Sequence, residues 1–198
     1  MSSRDGKVAG LILAAGRSRR LGQLKQTLPF GNGTVLDQAI AQTESVAELD
    51  VVVVVLPAGD LVPAPRVRWA RLVHVEHEGP CSSSLHAGLR ALPDRIDAIA
   101  VLPADQPALD TELISLAVRS WLRSRPAALT LSYRGEPGHP LIFSASLIDE
   151  LSALHGEKAM WRLLENLADV VERVHVDTPL PQDIDTLDDY KRILSTVR

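Results

Sequence analysis

The segment between residues 14 and 25 combines two glycines with several basic side chains, which is the composition of a phosphate-binding loop. It reads Ala-Ala-Gly-Arg-Ser-Arg-Arg-Leu-Gly-Gln-Leu-Lys and ends at Lys25. Glycine lets the backbone approach an oxyanion, while arginine and lysine neutralise negative charge. The spacing differs from a P-loop, because five residues separate Gly16 from Gly22 and Lys25 stands apart. The residues alone leave two interpretations open, a triphosphate site and a glycine turn with solvated arginines.

Three consecutive serines, Ser82, Ser83 and Ser84, precede an apolar helical pattern, and one of them is predicted to be the helix N-cap. The remaining hydroxyls and amides at a helix N-terminus suit recognition of a base or an anion. A serine nucleophile assisted by His86 is disfavoured, because no nucleophile-elbow pattern surrounds the serines. Cys81, in the same segment, is interpreted as a small filler rather than as a reactive thiol.

Carboxylates occur where a metal ion could be bound. Asp105 follows a buried apolar run and is predicted to lie at the carboxyl end of a strand, whereas Asp110 is better placed to cap the next helix. Residues 177–189 hold five aspartates and no Lys or Arg, so this segment either binds metal or lies in solvent. Magnesium that bridges phosphates needs one or two such carboxylates.

Within that acidic segment, period-two spacing directs Asp183 and Asp185 to one side of an extended chain. Thr186, Asp188 and Asp189 are interpreted as the cap and first turn of a C-terminal helix. The segment is therefore expected to supply a second metal-binding carboxylate ahead of that helix.

Alternating strands and helices must position these candidates. Nearly continuous apolar runs predict buried strands at residues 8–14, 51–56, 98–102 and 127–132. Apolar residues at three- and four-residue spacing predict helices at residues 36–48, 85–92, 111–122 and 146–154. This alternation predicts crossover units and a mostly parallel sheet, interrupted by a proline-rich surface excursion at residues 57–68. The glycine-arginine loop then follows the first strand, where ligands bind in open α/β sheets.

Composition narrows the class of protein. The chain has 198 residues, a length typical of one domain. Its 45% hydrophobic and 23% charged residues are typical of a globular protein, which disfavours fibrous and disordered proteins. The formal net charge of -4 disfavours a general nucleic-acid binder. The single cysteine excludes an intramolecular disulfide and favours a reducing compartment, so the expected location is the cytoplasm. No apolar run approaches the ~20 residues that span a bilayer, so no membrane association is expected.

Residues 13–25, together with Leu28-Pro29-Phe30-Gly31, resemble the signature of small nucleotidyltransferases, especially the molybdenum-cofactor cytidylyltransferase group. The resemblance implies a single α/β domain with a mostly parallel, mixed sheet flanked by helices, the nucleotidyltransferase fold, which is Rossmann-like and glycosyltransferase-A-like. Residues 1–110 would mainly bind the nucleotide, and residues 111–198 would mainly bind the acceptor and carry the C-terminal metal segment.

The same resemblance implies Mg²⁺-dependent transfer of CMP from CTP to the phosphate of a molybdenum-pterin acceptor, with a molybdoenzyme or its maturation factor as a further partner. Two alternatives remain open. One is the same chemistry with another triphosphate or acceptor, as in a guanylyltransferase or a sugar-phosphate nucleotidylyltransferase. The other is a non-catalytic accessory protein that binds nucleotide or cofactor.

Site residues follow from the resemblance position by position. Catalytic roles are implied for Arg20, Lys25 and Asp105, and metal binding for Asp105 and Asp185. Nucleotide binding is implied for Leu13, Ala14, Ala15, Gly16, Arg17, Ser18, Arg20, Lys25, Gly79, Ser82, Ser83 and Ser84. Acceptor binding is implied for Gly138, His139 and Lys158.

The acceptor side departs from the family's pattern. Relatives carry Gly-Asp-x-Gly-Ala-Arg before Leu-Leu, whereas this chain has Ala159, Met160 and Trp161 at the last three of these positions. Trp161 replaces the arginine, and Arg162 is a candidate substitute for it. The acceptor is therefore the part of the prediction most open to change.

Overall fold

The computed structural model describes residues 6–16, 21–59, 62–75 and 80–196. Its main sheet has seven strands in the order β5-β4-β1-β6-β8-β7-β9. These are β1 (Val8–Leu13), β4 (Val51–Pro57), β5 (Arg71–Val75), β6 (Ala98–Pro103), β7 (Ala128–Tyr133), β8 (Glu136–Ser144) and β9 (Val171–Val176). A small antiparallel hairpin is formed by β2 (Pro29–Phe30) and β3 (Gly33–Thr34). Only β8 runs antiparallel to its neighbours in the main sheet, so the predicted mostly parallel, mixed sheet is confirmed.

Helices cover both faces of this sheet. The helices are α1 (Val35–Glu44), α2 (Cys81–Ala91), α3 (Thr111–Ser124), α4 (Ile148–Ser152), α5 (Ala159–Asn166) and α6 (Leu187–Thr196), of which α6 packs beside the hairpin and the others pack on the sheet. One apolar cluster joins α1 and α3 to the sheet, and a second joins α2, α4 and α5 to the opposite face. A third and smaller cluster contains Leu28, Phe30, Val35, Ile184 and Ile193, and it joins the hairpin and α1 to the C-terminal segment.

The predicted buried strands correspond to β1, β4, β6 and β7. The sequence did not predict β5 and β9, because both are edge strands in which charged residues and a histidine interrupt the apolar run. The excursion predicted at residues 57–68 is confirmed over residues 62–68, which form no helix or strand and are mostly exposed, whereas Pro57 is the last residue of β4. No helix in the described ranges is long and apolar enough to cross a membrane.

Helix starts test the predicted caps. Asp110 caps α3, because its Oδ1 accepts a hydrogen bond from the amide of Leu113 at 2.9 Å. Thr186 precedes α6, and its Oγ1 accepts from the amide of Asp189 at 3.2 Å. The predicted serine cap is wrong: α2 begins at Cys81 with Pro80 as its N-cap, which places all three serines inside the first turn.

Candidate active site

A cleft of about 790 Å³ lies where β1 and β6 end. Ala15 and Gly16 line it directly after β1, and Asp105 lines it after β6. The first turn of α2 contributes Cys81 and Ser84. The cleft is thus at the carboxyl edge of the parallel strands, where the sequence placed the candidate residues.

Lys25 is the centre of charge in this cleft. It begins a short 3-10 turn, and its ammonium forms an ion pair with Oδ2 of Asp105 and lies 3.5 Å from Oδ1 of Asp185. Burial lowers the pKa of Lys25, but the charges of Asp105, Asp185 and Asp183 and the hydrogen bond to Asp105 outweigh it, so the pKa is raised above its ordinary value. Lys25 therefore stays cationic at physiological pH.

A backbone hydrogen bond brings the acidic C-terminal segment to Asp105. The amide of Ile184 donates to the carbonyl oxygen of Asp105 at 3.0 Å, and the Ile184 side chain is fully buried. Asp183 and Asp185, on either side of it, both line the cleft. Nε2 of Gln106 donates to Oδ1 of Asp183 at 2.7 Å. Desolvation and the charge of Asp105 raise the pKa of Asp183, opposed by the Gln106 hydrogen bond and by Lys25.

The donor set fits an oxygen-ligated divalent cation that binds together with a triphosphate. Within the described residues, no group of three or more His, Cys, Asp or Glu side chains is arranged to hold a metal ion. Magnesium, however, is commonly held by one or two carboxylates while substrate phosphates supply other ligands. Asp105 and Asp185 flank the Lys25 ammonium, which shows that the two carboxylates together hold a cation.

Gln26 anchors the start of the glycine loop, a role that the sequence analysis missed. Its side chain is 2% exposed, and Nε2 donates to the carbonyl oxygens of Ala14 at 2.5 Å and Gly16 at 2.7 Å. Gln26 follows Lys25 directly, so these bonds fix the loop relative to Lys25. No motif or spacing in the sequence signals such a role, which depends on burial.

Only some of the other residues predicted to bind the nucleotide line the cleft. Leu13, Ala15, Gly16 and Ser84 line it, whereas Ala14 is buried behind the lining. Ser82 Oγ accepts a hydrogen bond from the amide of Gly156 at 3.1 Å, and the amide of Ser83 donates to the carbonyl of Pro80 at 2.8 Å. The candidates Arg17, Ser18, Arg20 and Gly79 lie outside the described residues.

His139 is the acceptor-side candidate that lines the cleft. The hydroxyl of Tyr133 donates to its carbonyl oxygen at 2.5 Å, and its ring packs edge-to-face against Trp161. Burial lowers the pKa of His139 to about 4, against a smaller opposing effect of Asp105, so the imidazole is neutral at pH 7. His139 can therefore offer a neutral donor or acceptor, but not a cation.

The other two acceptor-side candidates do not line the cleft. Gly138 is buried, and a Cβ there would lie 2.3 Å from Leu180 and 2.7 Å from Tyr133, so close packing explains the glycine. Lys158 is exposed at the N-cap of α5. Their roles in acceptor binding remain predictions.

Cys81 lines the cleft, but it has no activated thiol. Burial raises its pKa to about 11, with further contributions from Glu157 and Asp105. The amide of Cys81 donates to Oε2 of Glu157 at 3.2 Å. The protonated thiol agrees with its interpretation as a small filler.

The fold and the site define an α/β domain whose cleft, at the carboxyl edge of the parallel strands, holds a lysine between carboxylates. A family model described as MobA-like NTP transferase domain matches residues 10–171. The chain belongs to this family and is a nucleotidyltransferase enzyme.

Relatives of similar length accompany that match. Purine catabolism protein PucB of Bacillus subtilis (strain 168) is 30% identical over 203 residues, which cover 93% of this chain and 94% of the relative. Nicotine blue oxidoreductase of Paenarthrobacter nicotinovorans is 28% identical over 200 residues, covering 94% and 96%.

Solved structures share the whole fold. The Rv0371c homologue from Mycobacterium sp. strain JC1 has a TM-score of 0.87 at 31% identity, with 96% of each chain covered. Rv0371c from Mycobacterium tuberculosis H37Rv, solved as a complex with manganese, has a TM-score of 0.84 at 28% identity, with 96% of this chain and 99% of that chain covered. The expected nucleotidyltransferase fold is thereby confirmed.

Proposed function

We propose that this nucleotidyltransferase moves CMP from CTP to the phosphate of a molybdenum-pterin cofactor, releases pyrophosphate and uses Mg²⁺. The observation that carries the proposal is the meeting of Lys25, Asp105 and Asp185 in one cleft beside Gly16. CTP and the molybdenum-pterin acceptor are chosen because residues 13–25 and 28–31 resemble the cytidylyltransferase group, whose signature has a pair of small residues similar to Ala14-Ala15. The single cysteine favours the cytoplasm as the place of the reaction.

The reaction needs positioning and charge stabilisation more than covalent chemistry from the protein. An anionic oxygen of the acceptor phosphate attacks the α-phosphorus of CTP, the bond from that phosphorus to the bridging oxygen breaks, and pyrophosphate leaves with the bonding electrons. The attacking oxygen is already ionised, so no general base is required. Lys25, held cationic by its carboxylate neighbours, lies where it can neutralise charge on the phosphates.

A bound divalent cation would neutralise and polarise phosphate oxygens in this site. Asp105 and Asp185 would hold it, with Asp183 beside them. The manganese complex of Rv0371c supports a divalent cation in a relative of the same fold. Magnesium is proposed here because its preferred ligands are carboxylate and phosphate oxygens.

The two halves of the chain meet across the cleft in this proposal. Leu13, Ala15, Gly16 and Ser84 would contact the nucleotide, together with Arg17, Ser18, Arg20 and Gly79. His139 would contact the acceptor. A molybdoenzyme or its maturation factor would receive the product.

The proposal is tested by pyrophosphate release from CTP, GTP, ATP and UTP with magnesium, each with and without molybdenum-pterin cofactor. We expect release with CTP that depends on the acceptor. Asp105→Asn should lower the rate by about 100-fold or more, since charge-stabilising groups of this kind contribute that much. The exposed Asp94 provides the matched control, Asp94→Asn, which should keep the wild-type rate. Pyrophosphate release with GTP alone would identify GTP, rather than CTP, as the substrate. CTP binding without pyrophosphate release would favour the non-catalytic accessory protein.

Hydride transfer is a second candidate, favoured by one observation, the name of the relative nicotine blue oxidoreductase. Against it, the glycine loop does not match the Gly-x-Gly-x-x-Gly dinucleotide pattern. Oxidation of NADH or NADPH by the same preparation, with an electron-accepting dye, would support this candidate. The proposed transferase should oxidise neither.

A further inference from the structure

The acceptor end of the cleft is aromatic and apolar. Trp161 lies in the first turn of α5, is half-buried and lines the cleft beside Met160, which is 6% exposed. The ring of Trp161 packs against that of His139 with 5.4 Å between the centroids and 79° between the planes. Trp161 and His139 therefore form an aromatic wall of the cleft, and Trp161 occupies the position at which the family carries an arginine.

The charges around that wall disfavour an anionic group next to it. Among the described residues that line the cleft, Lys25 is the one lysine or arginine, and it lies at the carboxylate end. Arg162 does not take over the family's arginine position, because its Nη2 donates to the carbonyl oxygen of His155 at 2.8 Å and it does not line the cleft. Glu157 adds a negative charge at this end, while the exposed Lys158 lies outside the lining.

The position of the wall is fixed by contacts with the nucleotide side. The amide of Gly156 donates to Ser82 Oγ, and Oε2 of Glu157 accepts from the amide of Cys81. Both bonds tie the segment before α5 to the first turn of α2. Gly156 has a φ of +100°, which a residue with a side chain rarely adopts, so the glycine allows this approach. Trp161 is thus held at a defined place relative to the site of phosphoryl chemistry.

We propose that Trp161 determines acceptor specificity by packing against a planar, uncharged ring of the acceptor, while the phosphate of the acceptor extends to Lys25 and Asp105. This inference rests on the proposed function and names the part of the acceptor that the chain recognises. Aromatic side chains bind planar heterocycles by stacking and edge contacts with little need for charge. An arginine at this position would instead favour a phosphate or carboxylate.

Calorimetric titration with two probes separates these modes of recognition. Pterin supplies the planar ring without a phosphate, and glycerol 3-phosphate supplies a phosphomonoester without a ring. We expect wild type and Trp161→Phe to bind pterin with similar dissociation constants, and Trp161→Ala and Trp161→Arg to weaken binding about tenfold or more, the scale of an aromatic stacking contact. Trp69→Ala is the matched control, because Trp69 does not line the cleft and should leave pterin binding unchanged. Glycerol 3-phosphate should gain affinity only in Trp161→Arg.

Equal pterin binding by wild type and Trp161→Ala would overturn the inference, as would no pterin binding by wild type. Steady-state kinetics give a second, independent readout: Trp161→Ala should raise KM for the molybdenum-pterin cofactor about tenfold and leave KM for CTP unchanged. An unchanged acceptor KM would reject the role of Trp161 while leaving the proposed function intact. Conversely, pterin binding that depends on Trp161, in a protein that never converts the molybdenum-pterin cofactor, would reject the proposed function and retain the ring-binding role.

Discussion

The backbone amide of Ile184 donates a hydrogen bond to the carbonyl oxygen of Asp105 at 3.0 Å. This bond joins the loop after β6 to the C-terminal acidic segment and places Asp185 within reach of the same lysine as Asp105. Ile184 is fully buried in a cluster shared with the hairpin, α1 and α6. The buried side chain of Ile184 therefore anchors the segment that carries Asp183 and Asp185, and so positions Asp185 relative to Asp105.

Ile184→Ala should disturb catalysis through that anchor. The substitution leaves a cavity that lowers the free energy of unfolding by about 2 to 4 kcal/mol, and it loosens the segment that carries Asp183 and Asp185. Ile193→Ala is a matched control, since Ile193 is 4% exposed in the same cluster but lies on α6. Denaturant unfolding and turnover, measured where both variants are folded, should show similar stability losses and a much larger loss of kcat in Ile184→Ala. Equal kcat in the two variants would contradict the anchoring role.

Lys25→Met should weaken triphosphate binding, because it removes the cation that faces the phosphates. It also leaves Asp105 and Asp185 without the charge between them, so a divalent cation should raise the melting temperature of this variant more than that of wild type. Thermal unfolding with and without magnesium or manganese measures this effect. Lys191→Met, which removes an exposed lysine of α6, should behave as wild type. Unchanged CTP affinity in Lys25→Met would refute the assigned role of the lysine.

Gln26→Met keeps the approximate size of the side chain but removes both donated hydrogen bonds. The carbonyl groups of Ala14 and Gly16 lose these buried donors, and the loop is no longer fixed to the turn that begins at Lys25. We expect KM for CTP to rise about tenfold, a loss comparable with one or two hydrogen bonds. The exposed Gln182 provides the control Gln182→Met. A variant with wild-type KM and kcat would show that the loop holds its shape without Gln26.

The pH dependence of stability should reveal the neutral imidazole of His139. Its folded-state pKa of about 4 lies below the ordinary value of 6.5, so between these two values the unfolded chain binds a proton that the folded chain does not. The free energy of unfolding should therefore fall as pH decreases from about 6.5 to 4, and this contribution should be constant above that window. His139→Phe should remove this part of the pH dependence in urea unfolding curves. His175→Phe, at an exposed position on β9, should retain it.

The places of Asp105 and Lys25 in the cleft could be predicted from the sequence. Asp105 follows a fully buried strand, so its place at the carboxyl edge could be predicted, and Lys25 follows from its resemblance to a known signature. The strand β8 was not predicted, because Pro137, Gly138 and Pro140 are typical of a loop. Helix α5 was likewise not predicted, because its first residues were compared only with the Gly-Asp-x-Gly-Ala-Arg segment of the family.

Tertiary burial explains what the sequence could not show. Gln26 is an ordinary polar residue in the sequence, and only the fold places its amide against two loop carbonyls. Trp161 was visible as a departure from the family pattern, but its contact with His139 required the packing of α5 beside β8. The start of α2 was predicted at the serines because serine is a common N-cap. The backbone instead becomes helical at Cys81, and residue type alone does not fix that boundary.

The most direct test of the proposed activity is to follow the labelled α-phosphate of CTP during reaction with molybdenum-pterin cofactor and magnesium. The label should appear in a product whose mass exceeds that of the acceptor by one cytidylyl group, in step with pyrophosphate release, and Asp105→Asn should form this product at least about 100-fold more slowly. Label that remains in CTP, or is released only as free CMP, while the protein binds both CTP and the cofactor would contradict the account.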